Sequence, residues 1–277
     1  MAIAGCEQNL SVVEPGARIQ KLASGFQFTE GPVSDGKGNV FFTDIPNNRI
    51  HKWSPDGKVS TFFANSGGAN GLYFDKAGNL LACQGDARKL ISIDKNGKTT
   101  VLANKYDGKL LNSPNDLWLD RKGGIYFTDP RYGRRDNLQQ DGEHVYYLSP
   151  DRKKLVRVVD DMVRPNGLIG TPDGKKLYVA DLGAGRTYVY GINPDGTLAD
   201  KKLFATEGSD GMTIDNEQNI YFTTDAVKVY DSKGNRKETI DIPERPANVT
   251  FGGRKKRTLF ITARTSLYSV KMRTKGL

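Results

Sequence analysis

A six-fold internal repeat constrains this chain more than any other feature. Glu30-Gly-Pro…Asn39-Val-Phe-Phe-Thr-Asp44 is followed by Asn70-Gly-Leu…Asn79-Leu-Leu-Ala-Cys-Gln84 and Asn115-Asp-Leu…Gly124-Ile-Tyr-Phe-Thr-Asp129. Asn166-Gly-Leu…Lys176-Leu-Tyr-Val-Ala-Asp181, Asp210-Gly-Met…Asn219-Ile-Tyr-Phe-Thr-Thr-Asp225 and Asn248-Val-Thr…Thr258-Leu-Phe-Ile-Thr262 complete the set. Starts at 30, 70, 115, 166, 210 and 248 give intervals of 40, 45, 51, 44 and 38 residues. Each unit reads as a short apolar strand, an Asp/Gly/Lys/Asn turn and a second strand rich in aromatic and β-branched residues. A third alternating segment (Arg49–Ser54, Lys89–Asp94), a turn and a fourth (Lys58–Phe63, Thr99–Leu102) follow. Four strands per unit and no helical periodicity predict an all-β chain, a six-bladed β-propeller. The last repeat ends after three strands, at Ser266–Met272. Ala17–Leu22 resembles a fourth strand and is expected to complete it, closing the ring and removing its open edges.

That architecture predicts a single domain over 17–277 with a polar tail over 1–16. Residues Ile3-Ala4-Gly5-Cys6 match a bacterial lipoprotein cleavage box, although a working signal needs a longer apolar stretch before it. The match leaves a periplasmic, secreted or lipoprotein-derived chain and a cytoplasmic one both open. No run approaches the roughly 20 apolar residues of a membrane-spanning helix. The net charge of +9 invites a nucleic-acid reading. Many of the basic residues, however, fall in turns such as Asp173-Gly-Lys-Lys and Gly253-Arg-Lys-Lys-Arg257, with no aromatic and basic strand face beside them. They read as a solvated rim, and no nucleic-acid partner is expected. A ring of this size is self-sufficient, so a monomer is expected.

Two Cys and two His cannot build a disulfide framework or a nitrogen- or sulfur-rich metal site. Any metal must be held by oxygen. The first strand of each blade lines the channel, and its opening positions are Glu30, Asn70, Asn115, Asn166, Asp210 and Asn248. The second strand runs back to the same face, bringing Asp44, Gln84, Asp129, Asp181, Asp225 and Thr262 there. Asx residues also cap strands and make turns, which explains any one position well enough. The set is harder to explain this way, because Glu30 is a poor turn residue. Convergent hard oxygens favour Ca2+, with Mg2+ or Mn2+ next and Zn2+ as a further alternative. Glu30 and Asp210 would balance a divalent cation, with neutral amide oxygens from Asn115 and Asn166.

Asn112-Ser-Pro-Asn-Asp116, Tyr126-Phe-Thr-Asp-Pro-Arg-Tyr-Gly133, Glu30-Gly-Pro32, Arg164-Pro-Asn-Gly167 and Ser209-Asp-Gly-Met212 resemble motifs of the gluconolactonase/regucalcin (senescence-marker) family, nearest its bacterial gluconolactonases. The similarity runs from about residue 17 to the end. It implies a metal-dependent lactonase opening sugar lactones such as gluconolactone, with a divalent cation, commonly calcium, on the channel axis. By motif, the metal ligands carry over to Glu30, Asn166 and Asp210, and Asn115 is a fourth ligand or a substrate contact. The regucalcin branch has an arginine where this chain has Ser113, so its sugar preference does not transfer; Arg131 is a substitute cation, with Tyr132 beside it at the mouth. Asp210 is the first candidate for general base. Asp129, Asp181 and Asp225, standing behind the ligands, are alternatives, and His144 an outside one. The same Glu/Asn/Asn/Asp set resembles diisopropyl fluorophosphatase, which keeps phosphotriester hydrolysis open as an alternative. A non-catalytic, calcium-stabilised binding propeller is the third reading.

Overall fold

A computed structural model describes residues 10–277; the cleavage-box motif at Ile3–Cys6 lies outside them. Six four-stranded antiparallel sheets form the ring, and no helix occurs among the described residues. The sheets run inner to outer in chain order. The first holds Thr29–Ser34, Val40–Asp44, Arg49–Trp53 and Val59–Ala64, the second Ala69–Phe74, Leu80–Gln84, Lys89–Ile93 and Thr99–Ala103. The third blade holds Leu117–Leu119, Ile125–Asp129, Glu143–Leu148 and Leu155–Met162. Pro165–Gly170, Lys176–Asp181, Arg186–Ile192 and Leu198–Ala205 form the fourth; Met212–Ile214, Ile220–Thr223, Val227–Tyr230 and Arg236–Ile240 form the fifth.

The sixth blade has Pro246–Gly252, Thr258–Ala263 and Ser266–Lys271, and its outer strand is Gln20–Ser24 from the start of the chain. This strand pairs Gln20 with Ser269 and Ser24 with Ser266, so the ring closes through the expected N-terminal strand, a few residues later than Ala17–Leu22. The preceding segment is less of a tail than its polarity suggests. Val12 is fully buried in the core of the last two blades, its N–H donates to Glu238 and its carbonyl accepts from the Arg273 N–H.

The middle strands are buried on both faces: Val40–Asp44, Leu80–Gln84 and Ile125–Asp129 have no exposed residue. Their aromatic and β-branched runs supply the apolar clusters that fill the gaps between blades. At one end of the channel the hairpin turns repeat a single device. Asp35, Asp75, Asp120 and Asp215 each accept the N–H four residues on, with Asp-x-x-Gly in the first three turns and Gln218 in the glycine's place in the fourth. The two longest repeat intervals have separate causes. A two-strand insertion, Lys105–Tyr106 with Lys109–Leu110, lengthens the second unit, and the loop over 130–142 lengthens the third.

Candidate active site

The polar residues opening the inner strands are aimed by a repeated backbone irregularity. In the first blade Glu30 pairs with Thr43 and the next registered pair is Val33 with Phe41, so one extra residue is accommodated between them. The second and fourth inner strands carry a one-residue bulge around Asn70 and Asn166, and the sixth carries one just before Asn248. Bulges of this kind redirect side chains beside active sites, and here they turn Glu30, Asn166 and Asn248 away from the sheet's regular alternation.

The glycine that follows four of the six polar residues has a different reason from the turn chemistry its spelling suggests. A Cβ on Gly31 would lie 1.9 Å from the Asn70 carbonyl oxygen, and one on Gly71 2.7 Å from that of Asn115. On Gly167 it would lie 2.5 Å from the Asp210 oxygen, and on Gly211 2.0 Å from the Asn248 side chain. These glycines let adjacent blades approach at the axis. The Gly71 N–H donates to Asn115 O at 2.7 Å and the Gly211 N–H to Ala247 O at 2.9 Å, linking blades directly.

Around this narrow waist, Glu30, Asn115 and Asn166 are buried and Asp210 is half-buried. The Glu30 carboxylate accepts from the Gly31 N–H at 2.8 Å and the Asn248 amide at 3.0 Å. The Asn166 amide donates to Asp210 Oδ1 at 2.7 Å and to the Tyr132 hydroxyl at 2.6 Å. Asn115 is anchored through its backbone, while its side-chain amide makes no hydrogen bond among the described residues. Burial pushes the Glu30 carboxyl well up, and the nearby charges of Asp210 and Asp116 add to the rise. Burial likewise lifts Asp210 to about 6. Neither forms an ion pair within 4 Å among the described residues.

Asp116 is the residue that sequence reasoning missed. It stands in the third blade where four others have the close-approach glycine; that departure from the chain's own repeat was the available signal. Its carboxylate accepts the Leu117 N–H at 2.9 Å, and burial, with Asp210 nearby, lifts it to about 7. Below the waist, Asp116 and Asn248 border a cavity of about 510 Å3 that continues to the hairpin-turn end past Trp118, Met212 and Phe251.

The carboxylates ending the second strands separate from this group. Asp129 accepts the N–H groups of Asn112 and Ser113, Asp181 those of Val163 and Arg164, and Asp44 those of Gln27 and Phe28. Each ties down the loop that leads into its own inner strand. Asp225 is exposed and paired with Lys228. The expectation of a carboxylate-lined channel face therefore narrows to Glu30, Asp210 and Asp116. Replacing Asp181 by Ala leaves three backbone N–H groups, those of Val163, Arg164 and Ala184, without their acceptor. We expect a loss of about 3 kcal/mol in a denaturant titration, with Asp181→Asn recovering part of it.

Arg131 and Tyr132, adjacent in sequence, differ in what they touch. The Arg131 guanidinium donates to Arg134 O, Asn112 O and Asn137 Oδ1, holding the loop over 130–142 in shape. Tyr132 reaches the Asn166 amide while Arg164 stacks on its ring at 5.2 Å. His144 bonds Asp141 at 2.9 Å and His51 packs between Phe26 and Phe42, both away from the axis.

Fold and site together define a six-bladed propeller with an acid-and-amide cluster at its axis. The family described as SMP-30/Gluconolactonase/LRE-like region matches residues 28–265, and the chain belongs to it. It is 30% identical to a gluconolactonase of Zymomonas mobilis, over 96% of this chain and 84% of the relative. A lactonase drp35 of Staphylococcus saprophyticus is 30% identical over 86% of this chain and 77% of its own length. The solved structure of a gluconolactonase from Xanthomonas campestris superposes with a TM-score of 0.89 at 30% identity, covering 94% of this chain and 91% of that one.

Proposed function

We propose that the protein hydrolyses lactones, sugar lactones among them, at the axial cluster, with a divalent cation, calcium by preference, held by Glu30, Asn115, Asn166 and Asp210. The observation that carries the reading is the pair of axial carboxylates, Glu30 buried and Asp210 half-buried, neither in an ion pair among the described residues. Buried acids in that condition are costly unless a cation compensates them. The donors fit a hard ion, all of them oxygen. Among the described residues no three His, Cys, Asp or Glu side chains converge as a metal cluster, which accords with a set of only two acids and two amides. Membership of a family with named gluconolactonases and lactonases supports the substrate class.

When bound, such a cation supplies Lewis acidity toward the ester carbonyl and its attacking water. The protein's own groups do the rest. Asp210 is the general base, oriented through the hydrogen bond that Asn166 donates to its Oδ1. The free Asn115 amide is available to the carbonyl side of the substrate or to the cation. Tyr132 and Arg164 cover the mouth.

A panel of aldonolactones, aliphatic lactones and aryl phosphotriesters, each with and without chelator, tests this reading. We expect chelator-sensitive turnover of lactones and none of phosphotriesters; no chelator-sensitive hydrolysis of any ester would refute it. Calcium should also raise the thermal midpoint more at pH 7.5 than at pH 5. In the unfolded chain these carboxyls ionise near 4, but in the fold Asp210 and Asp116 keep their protons to about 6 and 7. Raising the pH through that range therefore destabilises the chelated fold and exposes charge for the cation to neutralise. Equal shifts at both pH values would contradict the ligand set.

A further inference from the structure

The mouth above the axial cluster carries a second group of side chains that ring opening does not require. Arg245 immediately precedes the sixth inner strand, three residues before Asn248, and Arg264 sits in the turn joining the next two strands of that blade. The Arg264 carbonyl accepts the Thr29 N–H at 2.8 Å, which places it one residue from Glu30 along the neighbouring blade. Arg164 leads into the fourth inner strand, two residues before Asn166.

These three cations are poorly used within the protein. Arg245 and Arg264 are exposed and neither forms an ion pair among the described residues. Arg245 makes one hydrogen bond, from Nε to Thr224 O at 3.1 Å, and the Arg264 side chain makes none. Arg164 Nε is buried without a hydrogen-bond partner, 3.7 Å from Glu143. The carboxylates of the adjoining loops are engaged elsewhere: Glu244 with Ser266, Tyr268 and Lys21, Glu207 with Lys228 and Tyr230.

Backbone economy does not explain Arg264 either. It is the first residue of a two-residue hairpin turn and the only one of the two with positive φ, +46°, a place that favours glycine. Both exposed guanidiniums stand within electrostatic reach of Asp210. If a divalent cation offsets Glu30 and Asp210, these arginines leave the mouth with an uncompensated positive field. Such a field concentrates anions, and guanidinium forks match carboxylate and phosphate.

We propose that Arg245 and Arg264, with Arg164 beside them, form an anion subsite, and that the preferred lactone carries its own carboxylate or phosphate group besides the ring ester. The proposal rests on the lactonase reading. A neutral sugar lactone presents only hydroxyls to these groups and would leave their charge unused.

The test compares glucono-δ-lactone with its 6-phosphate and with a lactone of glucaric acid, at low salt and in 0.5 M NaCl. We expect kcat/KM at least about tenfold higher for one or both charged lactones, carried by KM and reduced by salt. The phosphate and carboxylate arms identify which group is read. Arg245→Gln and Arg264→Gln should each remove about tenfold from the charged lactones and less than threefold from the neutral one. Equal rates for neutral and charged lactones would overturn the proposal. So would glutamine variants that slow all substrates alike, since the arginines would then serve ring opening itself. Should no lactone be opened, the lactonase reading fails, and calorimetry judges the subsite by itself. Tighter binding of 6-phosphogluconate than gluconate, lost in Arg264→Gln, supports it; equal binding refutes it.

Discussion

Glu30→Gln is expected to weaken cation binding at least ~100-fold and to remove lactone turnover with it, while the blades stay folded. The glutamine keeps an acceptor for the Gly31 N–H and fits the same space. It also removes an ionisable group whose charged form is penalised by burial and by the nearby Asp210 and Asp116. The chelated variant should therefore melt at a higher temperature than the chelated parent, whereas the parent alone gains from added calcium. A gain in stability together with a loss of function separates a functional residue from a structural one. Calorimetric calcium titration and melting curves in chelator supply both readings. Undiminished calcium affinity would show that Glu30 is not a ligand.

Gly31→Ala is expected to destabilise the protein by about 3 kcal/mol, through overpacking against a backbone that has nowhere to go. The new methyl would lie 1.9 Å from Asn70 O and 3.0 Å from the Gly71 Cα, at a φ of +46° that alanine tolerates poorly. Relief requires the first two blades to part at the axis, where Glu30 is held, so cation affinity should fall as well. Gly36, in the adjoining hairpin turn, has nothing within 4 Å of the place a methyl would take. Gly36→Ala should stay within about 0.5 kcal/mol of the parent in the same urea titration. Equal losses would mean that chain entropy, not the close approach of blades, governs these glycines.

The two glycines differ in a way that the local sequence does not display. Gly31 follows a polar residue, as a turn glycine often does, but the atom that forbids its side chain belongs to a residue about 40 positions later. Repeat spacing revealed the blades and the ring because it is a property of one strand set after another. It also placed Glu30, Asn166 and Asp210 near one another, since equivalent positions of successive blades meet at the axis. What happens to each carboxylate depends on the loop folded over it. Asp44, Asp129 and Asp181 share a face with Glu30, yet each turns back to its own incoming loop, a choice made by backbone N–H groups that no spacing encodes. Asp116 was legible only as an exception to the glycine rule, and that rule emerges from the contacts between blades. Val12 escaped for a similar reason: Leu10, Val12 and Val13, set among polar residues, show no period that announces which of them is buried.

The shared sixth blade also dictates an order of events. Five blades consist of residues close in sequence, so each can pair its strands as soon as it leaves the ribosome. The sixth needs Gln20–Ser24 to find Ser266–Lys271, about 240 residues further along the chain. Until that meeting, the growing protein carries an unpaired strand edge at its tail and a detached partner at its head. Completion of the axial cluster waits on the same event, because Asn248, which holds Glu30, belongs to the blade that closes last. Synthesis to the final strand is thus a checkpoint, and an interrupted chain is left without a finished site.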